Sequence, residues 1–387
     1  MPATIRTFRN TDAEAICRVW NEHYAEQGVD AHLLPLALEL GCLAKPFFEP
    51  NDLVIAEVDD TVVGFMHMAK VAGGDGVGDA NEVAGFDFFA SRDPLVADPL
   101  VTDSEASVAE STLLKVQQAT PVPQSLAIVA LCVSPLVVSD SQLGFQGTDA
   151  DIAAQLLKYG EQTAIEFSLD QLRFKPMLPN GGFYLGYGPA DSMIGTTSNE
   201  QRTCEWLRGA GFEPARPTNL WELDLSRCQA PVVRMQLQIR RTAHVDRQVD
   251  EPLLPWWQAC VLGHTEAAAF QLTDRLEKRV LLEILYWTVA PELQLSPHSV
   301  AWLWPPELPP SEPGGGNART PSLSDKMVFL LGESLRELQG ESIDLVRTVS
   351  TADHPAMSQL LRRLGFKPLQ SGMVFHKRLA ATVSRQT

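Results

Sequence analysis

Long apolar runs, metal-binding spacings and clusters of positive charge are all missing from this 387-residue sequence. The longest apolar stretch, Leu126–Val138, is broken by Ser134 and Pro135 and is too short to cross a bilayer. The N-terminus, MPATIRTFRN, lacks the apolar core of a secretory signal. Six cysteines, at 17, 42, 132, 204, 228 and 260, show no CxxC spacing, and several sit inside apolar runs. Buried thiols in a reducing compartment are expected, not a disulfide or metal framework. The eight histidines are scattered without ligand spacing, so no metal site is expected, and no GxSxG elbow occurs. Lys and Arg number 31 against 48 Asp and Glu, a net charge of −17. That balance argues against nucleic acid and against anionic membrane surfaces. What remains is a cytoplasmic globular protein, long enough for two domains of ordinary size.

The most informative stretch that is present runs from Thr148 to Phe167. Ile152, Leu156, Tyr159 and Thr163 recur at intervals of three and four, as the buried face of a helix does. Asp149 and Asp151 stand at its start, where carboxylates cap free N–H groups and suit the helix dipole. Upstream lies SLAIVALCVSP, an apolar, β-branched run that reads as a buried strand ended by Pro135. A buried strand feeding the N-terminus of a long helix is a common device for holding phosphate.

Before this pair come a strand at Ile5–Phe8, a helix from Thr11 to Tyr24, a second helix at Leu33–Leu43 and a hairpin. The hairpin strands, Leu53–Val58 and Thr61–Met68, turn at Asp59-Asp60. An interruption at Val71–Pro123 carries nine acidic and two basic residues, a net of −7. It reads as a solvated excursion with one helix near Ser104–Ala119, or as an acidic lid that draws in a cationic acceptor. After the helix, a strand at Asp170–Phe174 leads into a Gly/aromatic loop holding Phe183, Tyr184 and Tyr187, either pocket lining or a packed turn. A helix at Glu200–Ala210 ends at Gly211, and a strand follows at Leu220–Leu225.

Past a linker at Ser226–Pro231 the pattern restarts. Expected are a half-buried strand at Val232–Arg240, a helix at Pro255–Leu262, and a hairpin of Ala267–Leu272 with Val280–Val289. A strand at Val300–Trp304 and a Pro/Gly linker containing Gly314–Gly316 and Arg319 come next. The chain closes with helix Leu323–Leu338, strand Ile343–Val349, helix Pro355–Leu364 and strand Val374–Lys377. The segments TCEWLRGAGFEP (Thr203–Pro214) and MSQLLRRLGFKP (Met357–Pro368) echo each other, each with Leu-Arg, two residues, Gly-Phe, one residue and Pro. Leu156-Leu157 likewise matches Leu330-Leu331, and Asp151 matches Asp325. An internal repeat fixes architecture more firmly than any local reading.

The strand end Val133-Ser134-Pro135 and the helix pair Leu156-Leu157 resemble the central motif of the GNAT acetyltransferase superfamily. Its pattern is a strand ending Val-x-Pro, a loop (Arg/Gln)-x-x-Gly-x-(Gly/Ala), then Leu-Leu early in a helix. Counting back from Leu157, Thr148 takes the Arg/Gln place, Asp151 the first Gly and Ala153 the second, so one of three loop positions is kept. The resemblance implies a mixed α/β (α+β) fold of two tandem GNAT-like domains, each a central mixed sheet flanked by helices. The first spans 1–226 with the acidic insertion 71–123, and the second spans 232–380.

It also implies acetyl-CoA as co-substrate. The pantetheine arm would lie on Val133 and Ser134, and the pyrophosphate on Thr148, Asp149, Ala150, Asp151, Ile152, Ala153 and Ala154. Direct transfer to the amine of a small acceptor would then need an acid and a base. The family's usual tyrosine position falls on Leu207 and Leu361, so Tyr184 and Tyr187 are the nearest phenols to replace it, and Glu57 is the candidate base. In the second half Ser322, Asp325 and Met327 replace all three loop positions, which makes that half structural. The worn loops also leave open a tandem GNAT fold without turnover, acting as a ligand sensor or interaction module.

Overall fold

A computed structural model describes residues 3–28, 32–72, 123–135, 147–175, 183–186, 194–228, 235–248, 256–289, 298–306 and 323–379. The insertion helix expected at Ser104–Ala119, Tyr187 and the Gly314–Gly316 segment with Arg319 lie outside these residues. The first half supplies strands β1 (Thr4–Thr7), β2 (Leu53–Val58), β3 (Thr61–Ala72), β4 (Pro123–Val133), β5 (Gln171–Phe174), β6 (Thr196–Thr197) and β7 (Glu213–Asp224). The second supplies β8 (Ala243–Gln248), β9 (Thr265–Asp274), β10 (Val280–Val289), β11 (Val300–Leu303), β12 (Leu345–Thr351) and β13 (Lys367–Arg378).

These strands form one mixed sheet in the order β1-β2-β3-β4-β5-β13-β7-β12-β11-β10-β9-β8, with β6 on β13. The order is a palindrome of the repeat, and at its centre the final strands of the two halves change places. There β13, the last strand of the second half, pairs with β5 of the first, Phe375 opposite Phe174. In return β7, the last strand of the first half, pairs with β12 of the second, Leu223 opposite Val346. Each half therefore completes its sheet with the other's final strand, an exchange within one chain. The exchange explains why both strands exceed the sequence expectation. Pro214, Pro217 and Pro368 interrupt the alternation, and register shifts at Pro368/Gln370 and Val374/Phe375 absorb them.

Most expected elements form as read. Asp59 and Asp60 both take positive φ, the pair of left-handed residues that a two-residue hairpin turn requires. The helix Asp149–Glu166 buries Ile152, Ala153, Leu156, Leu157, Gly160 and Ala164 on the β2–β3–β4 face. Helix α1 (Ala13–Glu26) covers the other face through Ile16, Val19, Trp20 and Tyr24. The strand expected at Val232–Arg240 is a correction. Gln236–Thr242 is a helix, with Ile239 buried and Leu237 exposed, and the strand begins at Ala243. Alternation of Met235, Leu237 and Ile239 suggested period two, but Gln, Leu and Arg are good helix formers and only one apolar side chain is needed inside.

Three cores result. One lies under helix Asp149–Glu166, one under helix Leu323–Gly340, and the third joins the halves. The shared core brings Trp20, Tyr24, Phe183 and Tyr184 together with Trp287, Val289 and Trp302 of β10 and β11. Lys45, from the turn after the short helix Pro35–Leu38, pins this contact by donating to the Cys260 carbonyl (3.2 Å) and the Val261 carbonyl and lying 2.7 Å from His264 Nδ1. Burial lowers the Lys45 ammonium to about 8 and, with Lys45 beside it, the His264 imidazole to about 4.

Candidate functional site

Strands β4 and β5 run parallel for three residues, Leu126–Ile128 beside Leu172–Phe174, and then part. The last link is Lys175 N–H to the Ile128 carbonyl, 2.8 Å. At that point β4 carries a bulge: Met68 faces Ile128 while His67 faces Ala130, leaving Val129 extra. A bulge bends and twists its strand, so the strands diverge where the sequence places an extra residue. Beyond it, Val133 presents its backbone to α1. His23 Nδ1 lies 3.3 Å from the Val133 carbonyl and 3.5 Å from its N–H. Ser134 donates through Oγ to Glu22 (2.5 Å) and through N–H to Val63 (2.8 Å). Burial, then the charges of Lys175 and Arg202, push His23 down to about 3, so its ring is neutral.

The N-terminus of helix Asp149–Glu166 stands next to this strand end. A Cβ on Gly64 would press on the Cys132 carbonyl oxygen (3.1 Å), Ile152 Cγ2 (3.2 Å) and Val133 Cγ2 (3.4 Å), so the bare glycine lets strand and helix pack closely. The amides of Thr148, Ala150 and Asp151 are satisfied by side chains of the same turn. Asp151 accepts from Thr148 N–H (2.8 Å) and Thr148 Oγ1 (2.9 Å), and Thr148 Oγ1 accepts in return from Asp151 N–H (3.2 Å). Those bonds hold the Asp151 carboxyl below its ordinary range. Ala150 N–H goes to Asp149 Oδ1 at 2.8 Å, and Asp149 is also paired with Arg202, which in turn pairs with Glu26. Ile152 and Ala153 point into the core, while Thr148, Ala150 and Ala154 are exposed. The structure thus brings the sequence-predicted strand and helix positions together, with capping carboxylates on the amides.

Tyr184 lies in the turn at Phe183–Gly186 with φ +58° and is fully buried. Its hydroxyl is 3.0 Å from His67 Nδ1 on β3, and Cys42 Sγ is 3.6 Å from each. Its backbone N–H reaches the Gly41 carbonyl (3.3 Å). Gly186, at φ +84°, presses so closely on Val289 of β10 that a Cβ there would lie 2.3 Å from Val289 Cγ2. The described part of the Gly/aromatic loop is therefore tightly packed. Burial and the Cys42 neighbour raise Tyr184 well above an ordinary phenol, burial takes Cys42 up to about 12, and burial lowers His67 to about 3. All three groups are neutral at physiological pH, with His67 Nε2 buried and unpartnered.

Glu57 is committed elsewhere. It pairs with Arg6, which also forks onto Asp12 at 2.7 and 3.0 Å. It stands four residues along β2 from Leu53, the partner of His67, roughly 13 Å at strand rise. Leu207 and Leu361 are buried in the two helix-covered cores. Sequence reasoning passed over His23, Cys42, His67, Lys175 and Glu200. A single histidine in an apolar strand, as in Gly64–Ala69, reads as core, and its partners sit far off in the chain. Among the described residues no group of three or more His, Cys, Asp or Glu could hold a metal, and no helix is long and apolar enough to cross a membrane.

No family model matches the chain, and no curated protein sequence matches it. Solved structures do. A tandem GNAT protein from the clavulanic acid biosynthesis pathway aligns over 97% of this chain and 98% of its own, at 12% identity and TM-score 0.54. A GCN5-related N-acetyltransferase from Sphaerobacter thermophilus aligns over 97% and 95%, at 9% identity and TM-score 0.54. N-myristoyltransferase from Saccharomyces cerevisiae, solved with myristoyl-CoA, aligns over 98% and 80%, at 9% identity and TM-score 0.52. The chain has the tandem GNAT fold.

Proposed function

We propose that the protein is an acyltransferase that moves an acetyl or other acyl group from a coenzyme A thioester to the amine of a small acceptor, within its first half. One observation carries this reading: the parallel pairing of β4 with β5 ends at the β4 bulge, and the end of β4 and the helix that begins at Asp149 meet over Gly64, so we assign the cofactor to a gap past that point. Parted strands leave backbone groups free for a pantetheine arm, and a helix N-terminus suits a pyrophosphate. Coenzyme A supplies the activated acyl group. Backbone groups of Val133 and the amides from Thr148 to Ala154 would position it, and Tyr184, hydrogen-bonded to His67, would return a proton to the departing sulfur. Tyr184 is buried, so this role requires the turn at Phe183–Gly186 to open onto the gap. Six free cysteines fit a reducing compartment, and we place the reaction in the cytoplasm.

A second reading, a tandem GNAT fold that senses a ligand without turnover, is favoured by a different observation. Asp149 and Asp151 consume the amides that a pyrophosphate would need, and His23 sits on Val133. Two measurements decide: calorimetric titration of acetyl-CoA into the full chain, and release of free coenzyme A against a panel of small amines. Binding with amine-dependent release supports transfer. Binding without release for any amine supports sensing. No binding removes both placements of the cofactor.

A further inference from the structure

Aligning the repeats at Gly211 and Gly365 makes Leu223 the counterpart of Lys377. Strand exchange carries each of these residues to the opposite half. Lys377 Cε lies 3.7 Å from where a Cβ on Gly211 would be, and Leu223 Cδ1 lies 3.4 Å from the same point on Gly365. In the first half Lys377 closes the groove at the helix end by donating to the Ala210 carbonyl (2.7 Å) and Glu161 (2.5 Å). In the second half leucine cannot do so. A cavity of about 510 Å³ remains there, with Arg227, Arg362, Arg363 and Lys367 around it and Glu222 and Asp224 as its acids.

This is a cationic site on a protein of net charge −17. Glu222 is already neutralised by Arg347, whose Nε and Nη2 lie 2.9 and 2.8 Å from its Oε2. Asp224 is occupied by Ser226 N–H (3.0 Å) and Ser226 Oγ (2.5 Å), with Arg227 Nε at 3.5 Å. Arg362 is held over the Trp221 ring at 5.6 Å, which orders its guanidinium without neutralising it. Neither Arg363 nor Lys367 has a carboxylate within ion-pair distance among the described residues. Carbonyls at a helix C-terminus oppose an anion. Here three of the last four, those of Leu360, Leu361 and Arg362, are taken by the N–H groups of Leu364, Gly365 and Phe366. Leu223, Leu364 and Leu369 give the cavity an apolar side.

We infer that this cavity binds a phosphomonoester, its phosphate between Arg363 and Lys367 and its organic part against the leucines. Arginine matches phosphate geometry, and apolar lining with a few convergent polar groups is the usual make-up of a small-molecule site. The cavity lies beside Asp224, which pairs with Leu345 at the start of β12, whereas the gap proposed for coenzyme A lies past the ends of parallel pairing. Calorimetry on the full-length protein at low ionic strength, with inorganic phosphate and phenyl phosphate as probes, tests the inference. Expected is saturable binding of one phenyl phosphate per chain with a dissociation constant below about 1 mM, severalfold tighter than inorganic phosphate. Arg363→Gln and Lys367→Gln should each weaken it severalfold and the double variant at least tenfold, while Arg241→Gln, an exposed arginine elsewhere, leaves it unchanged. Circular dichroism and thermal unfolding check that the variants fold, and both side chains are exposed. No saturable binding, equal affinity for the two probes, or affinity indifferent to both substitutions overturns the inference.

Discussion

Lys175 and Glu200 form an ion pair sealed from solvent, Nζ 2.6 Å from Oε2 with neither side chain accessible. Lys175 follows the last residue of β5, where that strand leaves β4, and its ammonium lies over the rings of Tyr24 (5.5 Å) and Phe174 (5.9 Å). Glu200 precedes the helix Gln201–Gly209 and accepts a second bond from Thr197 N–H (2.9 Å). The pair thus ties the diverging strand to β6 and, through β6, to the exchanged β13.

Breaking such a pair is costlier than replacing it, because a lone buried charge keeps the full penalty of desolvation. Lys175→Met or Glu200→Leu alone should therefore lower stability by about 3–5 kcal/mol. The double variant should lose less than either single change. Urea unfolding of the three proteins measures this, and a double variant worse than both singles would show that the charges are not coupled.

The exchange of β7 and β13 predicts that neither half is complete by itself. A fragment covering 1–228 lacks β13, which leaves β5 with an unpaired edge and exposes Phe174 and Phe375-facing core. It should aggregate or associate when made alone. Mixing it with a fragment covering 235–387 should restore a soluble complex of one copy each, read by size-exclusion chromatography with light scattering. A monomeric 1–228 fragment with native circular dichroism would contradict the exchange.

The repeat, the hairpin and the strand–helix pair around Val133 and Asp149 were legible because periodicity and turn chemistry are local. The exchange was not, since β7 and β13 keep the same sequence pattern whichever neighbour they take. Asp151 shows the same divide at the site. Its capping role follows from Thr148 three residues before it, and the structure has that box. Tyr184 stood out as a phenol near the right place, but its contact with His67 joins positions 117 apart, and no spacing announces such a pair.

Acid should destabilise the protein early. His23 and His67 are neutral in the fold with values near 3, and His264 near 4, against 6.5 when unfolded. The unfolded chain binds more protons below 6.5, so their contribution is present above that pH and is lost as pH falls. Each is worth about 1.4 kcal/mol per pH unit. Asp52, raised to about 6 by burial, works the other way between its ordinary 3.8 and 6. With three histidines against one carboxylate, the net expectation is a loss of roughly 3 kcal/mol per unit between pH 6 and 4.5. Urea midpoints across this range measure it, and His67→Gln should reduce the slope by about half. An unchanged slope would mean that His67 is not buried neutral.

Asp151 offers the sharpest test of where coenzyme A binds. Its carboxylate blocks Thr148 N–H and Oγ1 and places a negative charge where the proposed pyrophosphate would rest. Asp151→Gly frees the amide and removes the charge, whereas Asp151→Asn removes the charge but leaves an oxygen that can keep the cap. If the phosphate uses this turn, Asp151→Gly should tighten coenzyme A binding severalfold, at the expense of a small fall in unfolding temperature from the lost cap. Asp151→Asn should fall between wild type and Asp151→Gly if both effects operate, and should equal Asp151→Gly if charge alone matters. Asp325→Gly, the equivalent position of the second half, should leave binding unchanged. Calorimetric dissociation constants for the four proteins decide the matter. If Asp151→Gly binds no more tightly than wild type, the pyrophosphate does not sit on this helix, and the first half is better understood as a ligand sensor.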